Sequence, residues 1–174
     1  YQRGELDFDA YTTFALSAYI GMTRTEINEY MRPFVTKVIE PMINTLALKI
    51  IHDHGDSGDT ILLASATNEL IVQPIAKRLD IQNVIGTQVK FINDKCTGEY
   101  IPPSALGEGK LQLVQQWMQK NNFDDFSGVT FYSDSINDLP LLEAVDFPKA
   151  VNPDAMLEKI SLERGWEIID LPIL

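Results

Sequence analysis

The sequence has only one cysteine, Cys96, among its 174 residues. A single cysteine cannot form a disulfide within the chain, and it gives no support to a thiolate metal site. Unpaired thiols are typical of the reducing cytosol, so we expect a cytoplasmic protein. Cys96 itself is expected to be a small, partly buried apolar side chain.

Basic residues are scarce, and long apolar runs are absent. The chain has 14 Lys and Arg against 25 Asp and Glu, a formal net charge of −11, and no basic cluster compensates locally. Such a field repels nucleic acid and anionic membranes, so we expect neither as a partner. The longest apolar stretches, such as residues 61–66, fall far short of the ~20 residues of a membrane-spanning helix.

The remaining composition is that of an ordinary globular chain, with 45% hydrophobic and 22% charged residues. This length suits one compact domain, or one domain carrying a small appendage. We detect neither an internal repeat nor a low-complexity tract, so the composition excludes disorder as the main state.

Residues 1–54 show the apolar periodicity of helices. A first helix is predicted to begin near Phe8 and to stop at Gly21. Thr23 and Glu26 have the spacing of a capping box and open a second helix, which Pro33 is predicted to kink or divide. A third helix is predicted over about 42–50. We therefore expect an all-helical segment.

From residue 60 onward, short apolar runs alternate with helical segments. Strands are predicted over 61–64, 84–92, 95–100, 129–132, 150–151 and 166–169, and helices over 68–79, 108–120, 137–145 and 154–164. Strands that alternate with helices imply right-handed crossovers. The predicted class is α/β, with an open, mostly parallel sheet in three α/β/α layers.

An acidic pair follows the predicted strand over 129–132. Asp134 lies at the carboxyl end of that strand, and Asp138 lies in the first turn of the next helix. Both carboxylates then meet at the sheet edge where open α/β folds bind ligands. Carboxylate oxygens with room for water suit Mg²⁺, and Asn137 adds a neutral donor beside them. Alternatively, the two acids are only turn and capping residues.

A second candidate is Ser65, which ends the apolar run of residues 61–64 and is followed by Ala66 and a helix start. A hydroxyl beside free backbone N–H groups can donate to a phosphate oxygen. The alternative is that this segment holds only helix caps, because Ser, Thr and Asn are the commonest capping residues.

A third candidate is Lys110, which begins a helix among glycines. A cation at the positive end of a helix suggests an anion in front of it. Otherwise Lys110 is an ordinary solvated lysine. The chain has neither the GxxxxGK[ST] nor the GxGxxG spacing, so nucleotide P-loop and dinucleotide sites are excluded.

Together, Ser65, Lys110 and the stretch from Asp134 to Leu142 resemble the haloacid dehalogenase-like phosphatases. The likeness is to the branch around phosphoserine phosphatase and the histidinol-phosphatase-like enzymes. It spans nearly the whole chain. It implies a Rossmann-like core over 55–174 with a helical cap subdomain over 1–54.

This resemblance also implies a chemistry, which is the Mg²⁺-dependent hydrolysis of a small phosphomonoester through an aspartyl-phosphate. Ser65, Ala66, Asn137 and Lys110 would bind the phosphoryl group, with Ser65 and Lys110 also acting in catalysis. Asp134 would ligate Mg²⁺, directly or with Asp138 behind it. Phosphoserine and histidinol phosphate stay open as substrates, because Arg24 and Arg32 are either carboxylate receptors or simply solvated.

One family motif has no counterpart in this sequence, namely a buried strand followed by Asp-x-Asp-x-Thr that carries the nucleophile. The segment around Asp7 imitates the motif, but its pattern is helical, so we do not expect Asp7 to be the nucleophile. We expect about 50 further residues upstream to supply it. Without that strand, the open sheet edges would leave the isolated chain inactive and either unstable or self-associated as a homo-oligomer.

Two other functions remain open at this point. The chain could be a catalytically inactive phosphate-binding or regulatory module. It could also be a phosphotransferase that uses a similar intermediate.

Overall fold

The computed structural model describes residues 8–172, so Asp7 lies outside the described part of the chain. The first fifty of these residues are helical, as predicted. The helices are α1 (Phe8–Ser17), α2 (Arg24–Phe34), a π-helical segment (Val35–Ile39), α3 (Glu40–Met42) and α4 (Thr45–Asp56).

Helix α2 begins at the predicted capping box. The Thr23 hydroxyl accepts a hydrogen bond from the Glu26 N–H, and the Glu26 carboxylate accepts one from the Thr23 N–H at 2.7 Å. Pro33 is the second-last residue of α2, and the π-helical segment begins two residues after it, at Val35. Pro33 was predicted to kink or divide this helix, because proline removes a helical hydrogen bond and crowds the preceding turn. The helix does not end there: the backbone stays helical through Phe34 and Val35 and changes from α to π type.

The predicted start of the third helix at about residue 42 was wrong. Helix α4 begins at Thr45, because the Asn44 side chain accepts hydrogen bonds from the N–H groups of Leu46 and Ala47 and so caps the helix there.

Strands and helices alternate from residue 62, as expected for the α/β class. They are β1 (Leu62–Asn68), α5 (Glu69–Arg78), β2 (Asn83–Ile92), β3 (Lys95–Ile101), α6 (Glu108–Lys120), β4 (Thr130–Ser133), a 3₁₀ turn (Ile136–Asp138), α7 (Leu139–Ala144), β5 (Phe147–Val151), α8 (Ala155–Arg164) and β6 (Glu167–Ile169).

The strands form two three-stranded sheets rather than one. In the first sheet β1 runs parallel to β2, and β2 pairs antiparallel with β3. In the second sheet β4, β5 and β6 are all parallel. The mostly parallel arrangement is confirmed, and the predicted turn between β2 and β3 places Asn93 and Asp94 at φ values of 49° and 61°.

A cavity of about 750 Å³ lies between the two sheets. Residues 62–64 of β1 line it on one side, and residues 130–132 of β4 line it on the other. Apolar side chains of α4 and α6, among them Ile50 and Val114, complete its walls. Within residues 8–172, β1 pairs only with β2 and β4 only with β5, so each has a strand edge without a partner. We call this cavity the slot.

Helix α4 is joined to the second sheet across the slot. His54 Nδ1 lies 2.7 Å from the Asp59 carboxylate, and its Nε2 lies 2.9 Å from the Tyr132 hydroxyl. Because Asp59 only accepts, a neutral ring donates from Nδ1 and accepts the Tyr132 proton at Nε2. Burial raises the pKa of Tyr132. The hydrogen bonds therefore hold α4 beside β4.

Three hydrophobic clusters pack these elements together. The first joins α1 and α2 to α5, β2 and β3 through Leu16, Ile27, Leu70, Val89 and Cys96. Cys96 is thus a buried apolar side chain, as expected. The other two clusters lie around α6 and α7 and around β5 and α8. The division into a cap over 1–54 and a core over 55–174 stays a prediction. No helix within residues 8–172 combines the length and apolar character needed to cross a bilayer.

Candidate active site

The acidic pair lies at the carboxyl end of β4, with its members in contrasting environments. Asp134 directly follows the strand and is exposed. Asp138 ends the 3₁₀ turn, stands at the N-cap position of α7 and is only 8% exposed. The side chain of Asp138 makes no capping hydrogen bond to α7, so capping does not account for this residue.

Asp138 forms a buried ion pair with Lys110. Lys110 Nζ lies 2.5 Å from Asp138 Oδ1, with the two side chains 6% and 11% exposed. The Ser133 hydroxyl donates to Asp138 Oδ2 at 2.7 Å. Both carboxylate oxygens thus have partners. The predicted role of Asp138 as a metal ligand stays a prediction, and in this arrangement its carboxylate holds the Lys110 ammonium.

Lys110 is in the first turn of α6 and is 4% exposed, so the alternative of a solvated lysine is wrong. The helix starts after Gly107, whose φ of 54° lies in the left-handed region that favours glycine. A Cβ built on Gly107 would lie 3.7 Å from the Asn137 carbonyl oxygen. The start of α6 therefore packs against the segment that carries Asn137 and Asp138.

Asp134 differs from Asp138 because the Asp134 carboxylate has no hydrogen bond or ion pair within the part of the chain that the structure describes. Its backbone is fixed, however. The Asp134 carbonyl accepts a hydrogen bond from the Asp154 N–H at 2.8 Å. The Asp154 carboxylate accepts one from the Ile136 N–H at 2.8 Å and caps α8. The loop thus presents a free carboxylate on a constrained backbone.

The prediction that the strand ends before Ser65 was wrong, because β1 runs on to Asn68 and Ser65 lies inside it. We call residues 65–68 the Ser65 segment. Ser65 Oγ accepts a hydrogen bond from the Thr67 N–H at 3.2 Å, which leaves the hydroxyl proton available to donate. Asn68 occupies the N-cap position of α5, but its side chain makes no capping hydrogen bond, and its Oδ1 is buried without a partner. Because the Asn68 side chain does not cap α5, the first N–H groups of the helix are left to another acceptor, and such N–H groups can bind an anion together with a hydroxyl donor. The Asn68 Oδ1 is itself an acceptor and does not contribute to anion binding.

The structure brings Lys110 into contact with Asp138 and places Asn137 beside the start of α6. The assigned roles of Ser65, Ala66, Asn137, Lys110, Asp134 and Asp138 stay predictions. Sequence reasoning missed Ser133 and Asp154. Asp154 was predicted only as the start of a helix, and no sequence spacing indicated that Ser133 would bind Asp138.

The donor set fits a divalent cation only in part. Within residues 8–172, no three His, Cys, Asp or Glu side chains cluster as metal ligands. Mg²⁺ usually takes one or two protein carboxylates and keeps water or phosphate in its other positions. An exposed, unpaired Asp134 therefore fits as one of those ligands.

Comparison with known proteins shows which families and structures this chain is similar to. A family model described as haloacid dehalogenase-like hydrolase matches residues 1–143. A histidinol-phosphatase of Neisseria meningitidis is 39% identical over 173 residues, covering 98% of this chain and 78% of that protein. Three other curated relatives are 32–33% identical, and this chain spans only 50–54% of their length.

Solved structures show the same fold. A Bordetella pertussis protein of unknown function superposes with a TM-score of 0.88 at 34% identity, over 99% of this chain and 78% of that one. A probable phosphoserine phosphatase of Vibrio cholerae has a TM-score of 0.69 at 14% identity, over 99% of this chain and 50% of the other. At that identity the second likeness concerns the fold alone.

Proposed function

The chain belongs to the haloacid dehalogenase-like hydrolase family, and on this premise we propose that it is a Mg²⁺-dependent phosphoric monoester hydrolase. The observation that carries the proposal is the buried Lys110–Asp138 pair next to the exposed carboxylate of Asp134. A buried cation held by one acid, with a second acid free, suits a site that receives both a metal and a phosphoryl group.

Binding of the phosphoryl group is assigned to four residues. The Ser65 hydroxyl and the Ala66 backbone N–H would donate to phosphoryl oxygens at the start of α5. Asn137, beside the start of α6, would donate to the same group. The Lys110 ammonium, which Asp138 holds in place, would offset the charge on the phosphoryl group and on the attacking carboxylate.

Asp134 is assigned to the metal. Bound Mg²⁺ would supply positive charge that stabilises the transferring phosphoryl group. The loop held by Asp154 would keep the Asp134 carboxylate at a constant position as the charge changes. Preorganised groups of this kind cost little reorganisation at the moment of reaction.

For the nucleophile, we propose an aspartate on a strand that enters the slot from a segment upstream of Tyr1. The slot supports this because, among the described residues, β1 and β4 each have one unpaired strand edge at an apolar cavity of about 750 Å³. A parallel strand there would end at the same edge as β1 and β4, where Asp134 follows β4. Attack by its carboxylate on phosphorus would break the ester P–O bond and form an aspartyl-phosphate, while a general acid on the same upstream segment protonates the leaving alkoxide to the alcohol. Water would then hydrolyse the aspartyl-phosphate to inorganic phosphate and the free carboxylate.

The substrate we propose is a small phosphorylated metabolite, and of the two candidates we choose histidinol phosphate over phosphoserine. The Arg24 guanidinium is already 3.2 Å from the Glu69 carboxylate and lies 4.0 Å over the Phe91 ring. It is therefore a poor receptor for a substrate carboxylate, which phosphoserine has and histidinol phosphate lacks. The relative of 39% identity is named a histidinol-phosphatase, which supports the same choice.

Partners and location are proposals of the same kind. The net charge of −11 supports a protein that binds neither nucleic acid nor anionic membrane. The single cysteine, Cys96, supports a cytoplasmic location. The open edges of β1 and β4 support self-association into a homo-oligomer when the slot is empty. In that state the chain would be an inactive phosphate-binding module, which is our second candidate function.

The test is turnover of p-nitrophenyl phosphate with Mg²⁺ by the product of the intact reading frame. We expect Asp134→Asn to lower kcat by about 10²-fold or more, the range lost when a preorganised charged or donor group is removed from an active site. Asp124→Asn, at another exposed aspartate, is the matched control and should act like the parent protein. Full Mg²⁺-dependent turnover by Asp134→Asn would refute the assignment.

A further inference from the structure

Thr87, in strand β2, contacts both segments that the proposed function assigns to phosphate binding. Its hydroxyl donates to the Ala66 carbonyl at 2.7 Å and accepts from the Ala105 N–H at 3.1 Å. The residue is fully buried, at 0% exposure. One hydroxyl group therefore satisfies a backbone acceptor in the Ser65 segment and a backbone donor in the segment that precedes α6.

The contact at Ala66 leads directly to Ser65, its neighbour in the chain. Strand β2 also approaches this segment closely at Gly86. A Cβ built there would lie 3.0 Å from the Thr67 carbonyl oxygen and 3.1 Å from the Glu69 backbone nitrogen. The Ser65 segment thus rests against β2 on backbone contacts that leave no room for a side chain at residue 86.

The contact at Ala105 leads to Lys110 through another close approach. A Cβ built on Gly109 would lie only 2.1 Å from the carbonyl oxygen of Ser104, the residue before Ala105. Gly109 directly precedes Lys110, so the position of the Ala105 backbone constrains the first turn of α6. Lys110 in turn is held at its other end by Asp138.

We propose that Thr87 is a positioning residue for phosphoryl transfer, an inference that rests on the proposed function. It sets the distance between the Ser65 hydroxyl and the Lys110 ammonium by fixing the Ala66 carbonyl and the Ala105 N–H to one buried oxygen. Thr87 itself touches neither the substrate nor the metal. A small displacement of positioned groups costs a large factor in rate, so the effect of the hydroxyl should exceed its contribution to folding.

The variants that test this role are Thr87→Val and Thr87→Ser. Valine keeps the shape but leaves the Ala66 carbonyl and the Ala105 N–H without a partner, whereas serine keeps the hydroxyl. In the intact gene product, we expect Thr87→Val to lower kcat/KM for p-nitrophenyl phosphate by about 10²-fold. Thr87→Ser should restore most of that loss.

A merely structural role is distinguished by a double-mutant cycle with Ser65→Ala. If Thr87 acts by positioning Ser65, the effect of Thr87→Val should shrink several-fold when Ser65 is already alanine. Leu157→Ala, in the fully buried core beside α8, is the control for a destabilised but active protein. At assay temperatures well below its melting temperature, this variant should keep the kcat/KM of the parent protein. Additive losses in the cycle, or equal losses in Leu157→Ala, would overturn the proposal.

A second measurement does not require turnover. Hydrogen exchange of the Ala105 amide should become faster in Thr87→Val and stay protected in Thr87→Ser. Binding of inorganic phosphate, followed by NMR titration, should weaken in the valine variant alone. If the parent protein binds phosphate but hydrolyses no ester, the proposed function fails while this test still applies. Equal phosphate affinity in all three proteins would overturn the role of Thr87.

Discussion

The carboxyl edge of β4 and the slot beside it share strand β4 but differ in how their groups are satisfied. At the edge, the Asp138 carboxylate binds both the Lys110 ammonium and the Ser133 hydroxyl. We call these three residues the rim. In the slot, the edges of β1 and β4 that have no partner within residues 8–172 face an apolar cavity of about 750 Å³. The polar groups of the first region have partners, whereas the second region stays an open cavity among the described residues.

This difference follows from the chemistry of the two regions. A buried charge is tolerated only with a partner, so the rim must be satisfied within the chain for the fold to persist. Apolar walls and strand edges instead gain stability when another strand covers them. The rim is therefore expected to be complete in the isolated chain, whereas the slot is the place that a further segment would complete.

The largest effect is expected from breaking the rim. Asp138→Ala leaves the Lys110 ammonium buried at 4% exposure without a counter-charge. Removing one member of a buried pair costs about 3–5 kcal/mol, so the free energy of unfolding in urea should fall by that amount. Asp134→Asn, four residues away at an exposed carboxylate, should change it by less than about 0.5 kcal/mol. Similar losses in both variants would remove the distinction between the two acids.

A smaller loss of unfolding free energy is expected from leucine-to-alanine changes, one in a closed core and one in the slot. Leu142 is fully buried beside β5, and Leu142→Ala should cost about 2–5 kcal/mol. Leu63 is partly exposed and lines the slot, so Leu63→Ala should cost roughly half of that or less in the isolated chain.

The same pair of variants tests what fills the slot. In the product of the intact reading frame, the cost of Leu63→Ala should rise towards that of Leu142→Ala, because an inserted strand would bury it. Urea denaturation of both variants in both forms measures the change. An unchanged cost of Leu63→Ala would contradict a strand in the slot.

The smallest effect is expected far from both regions, at the capping box of α2. The Thr23 backbone N–H, and then its hydroxyl, lower the pKa of Glu26 from its ordinary value of 4.5. A lowered pKa stabilises the fold above the unfolded pKa, and the contribution is lost as pH falls through the folded pKa. Glu26→Gln keeps a capping-box acceptor but removes the charge, so it should lower Tm only slightly at pH 7.

Thermal melts of this variant against the parent protein give the pH dependence. The difference in Tm should vanish once the pH falls below the lowered pKa of Glu26. Glu29→Gln, on the same helix, is the control and should show no such dependence. A Tm difference that persists unchanged at low pH would contradict the capping role.

The local elements were largely predictable from the sequence. Helix α6 has the predicted bounds of residues 108–120, and the turn at Asn93 and Asp94 lies where expected. Here periodicity and turn residues act over a few neighbours, so local spacing carries the signal. The start of α4 was missed because its cap, Asn44, stands inside a continuous helical pattern.

The candidate site was predictable in its residue types and not in its pairings. Asp134, Ser65 and Lys110 were identified from strand ends and helix starts, where side chains meet at a sheet edge. Thr87 was not identified. Its role depends on contacts with Ala66 and Ala105, which lie 21 and 18 residues away and leave no local spacing.

The sequence by itself determined the order of helices and strands, the acidic balance of the chain and the chemical groups available at the strand ends. These properties depend on short-range periodicity and on composition. Only the tertiary structure decided that Asp138 is paired with Lys110 while the Asp134 carboxylate has no partner in the described part of the chain, and that β1 and β4 leave a cavity between them. Those outcomes depend on burial and on contacts between distant residues, because a carboxylate in the sequence is the same whether or not the fold gives it a partner.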